Sequence, residues 1–204
     1  KPVLDHVSLD VSRHGVLGVQ GPSGRGKSTL LKLLMRYWDP SSGTVALSDV
    51  PLPDVDAAWR RRVQTMMGQE SYLFDGTIRE NLMMALPDRD ASHAADAIDR
   101  KLRDALARAS ALELVDSLPQ GLDTQVGELG GRLSEGERQR IGLTRVFLRD
   151  ADLVLFDEPT SRLDAYNESV ILQSINGLAD QGRAIVLVSH RDSTMRIADR
   201  IVRM

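Results

Sequence analysis

An α/β fold, a parallel sheet interrupted by a helical lobe, is predicted by three features of this 204-residue chain. Two continuous apolar runs, Leu153 to Phe156 and Ala184 to Val188, have the unalternating character of strands buried on both faces. A glycine-rich stretch, Gly21 to Gly26, stands between a third apolar run and a segment of helical periodicity. From Ile78 to about Arg149 the pattern is mostly helical, so a single α/β unit carries an insertion.

In chain order, Lys1 to Gln20 reads as strand, turn, strand. Val3, Val7, Leu9 and Val11 supply the first strand, Arg13-His14-Gly15 the turn, and Val16 to Val19 the second. Lys27 to Tyr37 reads as a helix whose buried side is Leu30, Leu31, Leu33, Leu34 and Met35. The turn cluster Asp39 to Gly43 leads into a short strand, Thr44 to Leu47. In the lobe, Ala94 to Ala111 places Ile98, Leu102, Leu106 and Ala109 at helical spacing, and a helix over Asn167 to Leu178 separates the last two apolar runs. The expected division is a core of residues 1–75 and 151–204 with a helical subdomain of residues 76–150.

Composition excludes several classes. At 42% hydrophobic and 27% charged residues the chain is an ordinary globular sequence. A formal net charge of −3 gives no footprint for nucleic acid, and none is expected as a partner. The absence of cysteine rules out disulfides and thiolate metal sites. No apolar stretch approaches the roughly 18–20 residues that cross a bilayer. Beginning at Lys1 rather than a methionine, the chain reads as a piece of a longer protein.

Gly21-Pro22-Ser23-Gly24-Arg25-Gly26-Lys27-Ser28 has the spacing G-x-x-x-x-G-K-[ST] between a predicted strand and helix. Glycines let successive backbone N–H groups turn inward toward phosphate oxygens, and the helix start adds the positive end of its dipole. Lys27 would neutralise the β- and γ-phosphates and Ser28 would offer its hydroxyl to Mg²⁺. Leu153 to Phe156 ends in Asp157-Glu158, and a strand buried on both faces can present carboxylates only at its exit. Asp157 would stand by the Mg²⁺ ion and Glu158 would polarise water. His190 follows the other apolar run and could reach a γ-phosphate.

Taken in order, these residues resemble the ATP-binding cassette family over essentially the whole chain. Gly21 to Thr29 resembles Walker A, Leu153 to Glu158 resembles Walker B, and Gln69 falls at the Q-loop glutamine. Thr160 to Asp164 resembles the D-loop and Ser189-His190 the H-loop. Arg132 to Arg140 resembles the signature motif with its basic tail. The resemblance implies a P-loop NTPase (RecA-like) core with an antiparallel β subdomain and an inserted α-helical signature subdomain. It implies ATP and Mg²⁺ as cofactors. Gly21, Ser23, Gly24, Arg25, Gly26, Lys27, Ser28 and Thr29 would face the nucleotide, and Ser28, Gln69 and Asp157 the metal. Glu158, His190 and Gln69 would be the catalytic set. Ser134 and Gly136 would contact the ATP of a second cassette closing head to tail.

Leu73 to Leu82 and Gly121 to Glu128 are similar to exporter cassettes in particular. An export motor is therefore expected at the cytoplasmic face of a membrane, joined to a membrane-spanning domain. A non-transport ATPase of the family and an importer subunit are the alternatives. Two departures stand out. Glu135 and Glu137 replace the third and fifth signature residues, glycine and glutamine. A carboxylate facing a partner's γ-phosphate favours a heterodimer with unequal sites over a homodimer, although Ser134-x-x-Glu137 is also a sound capping box. No aromatic residue precedes the phosphate loop, where the family usually stacks one on adenine; that residue is expected upstream of Lys1.

Overall fold

The computed structural model describes residues 2–87 and 94–204. Residues 88–93 of the expected lobe lie outside this range. Strand β1 (Gly15–Gln20) leads through the glycine-rich loop into helix α1 (Lys27–Leu34). A small hairpin, β2 (Ala46–Leu47) and β3 (Val50–Pro51), precedes α2 (Ala57–Val63) and β4 (Gln64–Met67). The lobe contains α3 (Ile78–Met83), α4 (Ala95–Arg108), α5 (Leu112–Ser117) and α6 (Glu135–Arg149). The chain then returns to β5 (Leu153–Asp157), α7 (Ala165–Asp180), β6 (Ala184–Ser189), α8 (Asp192–Met195) and β7 (Arg200–Arg203).

The main sheet has the order β4-β5-β6-β1-β7, and every pairing in it is parallel. Successive residues of the central strands feed opposite layers, as the period of two requires. Leu17, Val19, Leu155, Val186 and Val188 pack with Leu30 and Leu31 of α1. Val16, Val154, Phe156, Ile185 and Leu187 join the other layer, with Leu102 and Leu106 of α4, Ile141 and Leu143 of α6, and Ile171 and Ile175 of α7. Each such fully buried side chain contributes about 1.5–3 kcal/mol. The lobe is thus continuous in packing with one face of the sheet.

Three expectations need correction. The strand expected across Val3 to Val11 does not form. None of the seven strands pairs with it among the described residues, so it gains no ladder hydrogen bonds. Val3 and Val7 stay exposed, and His6 adopts φ 51° beside its bond to Asp5. Only Leu4, Leu9 and Val11 settle against the apolar layer. The helix expected to Tyr37 stops at Leu34, because Arg36 turns left-handed at φ 52°. The strand expected over Thr44 to Leu47 shrinks to Ala46–Leu47 and turns back through Ser48 and Asp49, both at positive φ (50° and 66°). Two such residues match the twist of a tight hairpin, and the antiparallel part of the fold is that hairpin.

Candidate functional site

The order β5-β6-β1 brings the C-terminal ends of three adjacent strands together. In register, Gln20 of β1 lies opposite Ser189 of β6, and Val188 of β6 lies opposite Asp157 of β5. The phosphate loop, the Asp157-Glu158 pair and His190 therefore emerge side by side, at the edge where parallel sheets present their ligand sites.

The loop follows from its glycines. Gly24 and Gly26 both have positive φ, 80° and 90°, which a side chain at either position would resist. Gly26 precedes α1 and no side chain caps that helix, so its first N–H groups stay available to an anion. Ser23, Gly24, Arg25 and Ser28 are exposed, with Gly21 and Thr29 half-buried. Beneath the loop Lys27 is only 5% exposed. Its Nζ donates to the carbonyl oxygens of Gly21 at 2.8 Å and Pro22 at 2.9 Å, and lies 3.6 Å from Glu158 Oε1.

Glu158 sits just past β5 at φ 48°, a left-handed conformation that is uncommon outside glycine. Its N–H still donates to the Val188 carbonyl at 2.9 Å, so the strained residue is held from β6. Its second carboxylate oxygen meets His190 Nδ1 at 3.0 Å. A carboxylate that accepts in this contact requires a proton on Nδ1. The arrangement places a buried ammonium, a carboxylate and an imidazole in one contact chain.

Asp157 is buried, and burial pushes its pKa up; a hydrogen bond from the Ser28 hydroxyl opposes the shift and the Glu158 charge adds to it. Its Oδ1 is buried without any hydrogen-bond partner. An orphaned carboxylate oxygen beside a serine hydroxyl fits a hard cation such as Mg²⁺. That ion typically takes one or two carboxylates plus substrate phosphates in place of an all-protein cage. No cluster of three His, Cys, Asp or Glu side chains able to hold a metal occurs among the described residues.

Gln69 lies two residues beyond β4 and is exposed. Its side-chain Nε2 donates to Ser161 Oγ at 3.3 Å, on the loop after β5, which sets it beside the carboxylate strand. Ser134 and Gly136 are placed apart from this group: no hydrogen bond or ion pair joins them to Lys27, Asp157, Glu158 or His190 among the described residues. Ser134 caps α6 in a full capping box with Glu137, with Ser134 N to Glu137 Oε2 at 2.7 Å and Glu137 N to Ser134 Oγ at 3.4 Å. Gly136 is packed against Asn167 of α7, whose Oδ1 would lie 2.8 Å from any Cβ at that position. The Glu135 carboxylate does not project freely, being ion-paired to Arg138 at 2.5 Å. Arg138 is held in turn by the Leu133 carbonyl at 2.7 Å.

Gln139 and Arg162 lie in the stretches resembling the signature and the D-loop, but their contacts carry no sign in the sequence. Gln139 of α6 is buried and bonded to the Gln69 carbonyl, and Arg162 pairs with Glu70 at 2.6 Å. Both contacts join segments far apart in the chain.

Similarity to known proteins extends over most of the chain. A family model described as ABC transporter matches residues 4–161. A probable ABC transporter ATP-binding/permease protein of Haemophilus influenzae is 44% identical over 200 residues, covering 98% of this chain and 35% of that protein. ABC transporter ATM1 of Toxoplasma gondii is 40% identical over 98% of this chain and 17% of its own length. A solved structure of a bacterial Atm1-family ABC exporter with ATP bound superposes with a TM-score of 0.88 at 32% identity. It covers 99% of this chain and 34% of that one. The chain thus spans about a third or less of these relatives.

Proposed function

This chain belongs to the ABC transporter family, and we propose that it is the ATP-hydrolysing cassette of an exporter. The observation that carries the reading is the meeting of Lys27, Asp157, Glu158 and His190 at the exits of three adjacent strands. Lys27 and the loop amides would bind the β- and γ-phosphates. Ser28, Gln69 and Asp157 would hold Mg²⁺, which would supply positive charge to offset that of the phosphates. Glu158 would take the proton of a water attacking the γ-phosphorus as the bond to ADP breaks. His190, held at Nδ1 by Glu158, would reach the γ-phosphate through Nε2, donating there as an imidazolium with both ring nitrogens protonated.

The relatives, a probable ATP-binding/permease protein and an Atm1-family exporter, support export as the coupled process. A membrane-spanning domain would then be the partner, with the cassette at the cytoplasmic face. Residues 76–150 would form the signature subdomain against the core of 1–75 and 151–204. No described helix is long and apolar enough to cross a membrane. A second cassette would close head to tail, with Ser134 and Gly136 meeting the ATP of the opposite chain. A heterodimer is favoured because Glu135 brings a carboxylate to that contact. Its pairing with Arg138 offsets part of the charge, so the two sites would differ in degree.

Lys27→Ala tests the nucleotide site. Hydrogen bonds to a charged group are worth about 1.5–3 kcal/mol, so MgATP affinity should fall by about ten- to a hundred-fold. Titration with a fluorescent ATP analogue, alongside circular dichroism to verify the fold, measures it. Unchanged affinity would remove the loop from the phosphate-binding role.

A further inference from the structure

The segment that carries Gln69 is fastened by residues to which the nucleotide chemistry gives no part. Gln139 of α6 is 2% exposed, and both ends of its amide are engaged. Its Nε2 donates to the Gln69 carbonyl at 2.8 Å, and its Oε1 accepts from the Ser71 hydroxyl at 3.0 Å. Because the carbonyl can only accept and the hydroxyl here donates, these two partners fix which way the amide faces. One turn along α6, Gly142 leaves room for Ser71. A Cβ at Gly142 would stand 2.2 Å from Ser71 Oγ and 2.8 Å from Ser71 Cβ, inside any permitted contact.

β4 alone does not hold this segment. The strand ends at Met67, and Gly68 has nothing nearer than 3.9 Å to a would-be Cβ. The other side of the segment meets the loop after β5, through Gln69 Nε2 to Ser161 Oγ at 3.3 Å and Arg162 to Glu70 at 2.6 Å. Residues 69–71 therefore bridge the helix capped by Ser134 and the loop that follows Asp157 and Glu158.

We propose that Gln139 and Gly142 form a seat for Ser71 that positions Gln69 at the Mg²⁺ side of the nucleotide site. This rests on the proposed nucleotide function. Gln139, Gly142 and Ser71 are positioning residues, since their bonds end on the Gln69 backbone and its neighbour and touch no reacting atom. The physical case is one of geometry. A buried amide with both ends satisfied has a single low-energy orientation, and losing either partner leaves a polar group unpaired out of water.

Two affinities of the 204-residue chain separate this role from a merely structural one: that for ATP in EDTA and that for ATP with Mg²⁺. In the wild type both should be measurable, and both should depend on Lys27. Gly142→Ala should weaken binding with Mg²⁺ by about ten-fold, the usual effect of disturbing a group that orients a metal ligand, while binding in EDTA stays the same. Gln139→Glu, which keeps the volume and loses the donor to Gln69, should shift the ratio in the same direction without a steric clash. Ser71→Ala, which removes the hydroxyl without adding bulk, should shift the ratio in the same direction. The proposal is overturned if the ratio of the two affinities is unmoved in the single variants, or if both affinities fall together. ATP binding in EDTA that does not depend on Lys27 would overturn the nucleotide reading and this proposal with it. Lys27-dependent binding with an unmoved ratio would overturn the seat alone.

Discussion

At Asp157 the protein holds a carboxylate where ionisation is resisted. Burial raises its pKa, and one oxygen finds no partner. The folded state therefore binds this proton more tightly than the unfolded chain. The residue's contribution to stability is largest below the ordinary value of 3.8 and declines as pH rises through the raised folded value. At neutral pH the charge is a burden that a bound cation would relieve. Asp157→Asn should raise the thermal unfolding midpoint there, at about 2–4 °C per kcal/mol for a chain of this size. Below the usual carboxylate range the two proteins should converge. MgATP should raise the midpoint of the wild type more than that of the variant. Calorimetry across pH checks this, and a lower midpoint for Asp157→Asn at neutral pH would mean that the fold itself satisfies the carboxylate.

At the scale of elements, two helices start on the same chemistry. Thr77 and Glu80 cap α3 as Ser134 and Glu137 cap α6, each with both reciprocal bonds formed. Thr77 also pairs with Gln125, and Ile78 N donates to the Thr124 carbonyl at 3.0 Å, so this cap secures the loop before the signature as well as the helix. Thr77→Ala should cost about 1 kcal/mol of stability. It should also speed amide exchange at Ile78 and Val126, read by hydrogen–deuterium exchange; protected amides at those positions in a destabilised variant would show that the loop is held elsewhere. The Ser134 box was legible as Ser-x-x-Glu, and the central strands were legible as unbroken apolar runs. β7, flanked by Arg200 and Arg203, was not, because an edge strand needs no such run. Residues 3–11 misled for the opposite reason: alternating valines and leucine suit a strand, but pattern alone does not supply a partner strand.

At the scale of the whole molecule, the residues proposed for chemistry could be read from their order along the chain, because each stands at the exit of a strand or the start of a helix. The geometry that joins them could not. Lys27 and Glu158, 131 positions apart, meet only because β6 lies between their strands, and the strand order is a property of packing. The Gln139 contact to Gln69 was equally hidden, since a glutamine on a helix carries no sign of what it will touch. The central claim is that this meeting of strand ends hydrolyses ATP with Glu158 as the base. Its most direct test is phosphate release by wild type and Glu158→Gln under conditions where cassettes can pair, with MgATP affinity measured on the same samples. The substitution keeps the shape and removes the base, so affinity should be retained while turnover falls by about a hundred-fold or more. Full phosphate release by Glu158→Gln would contradict the account.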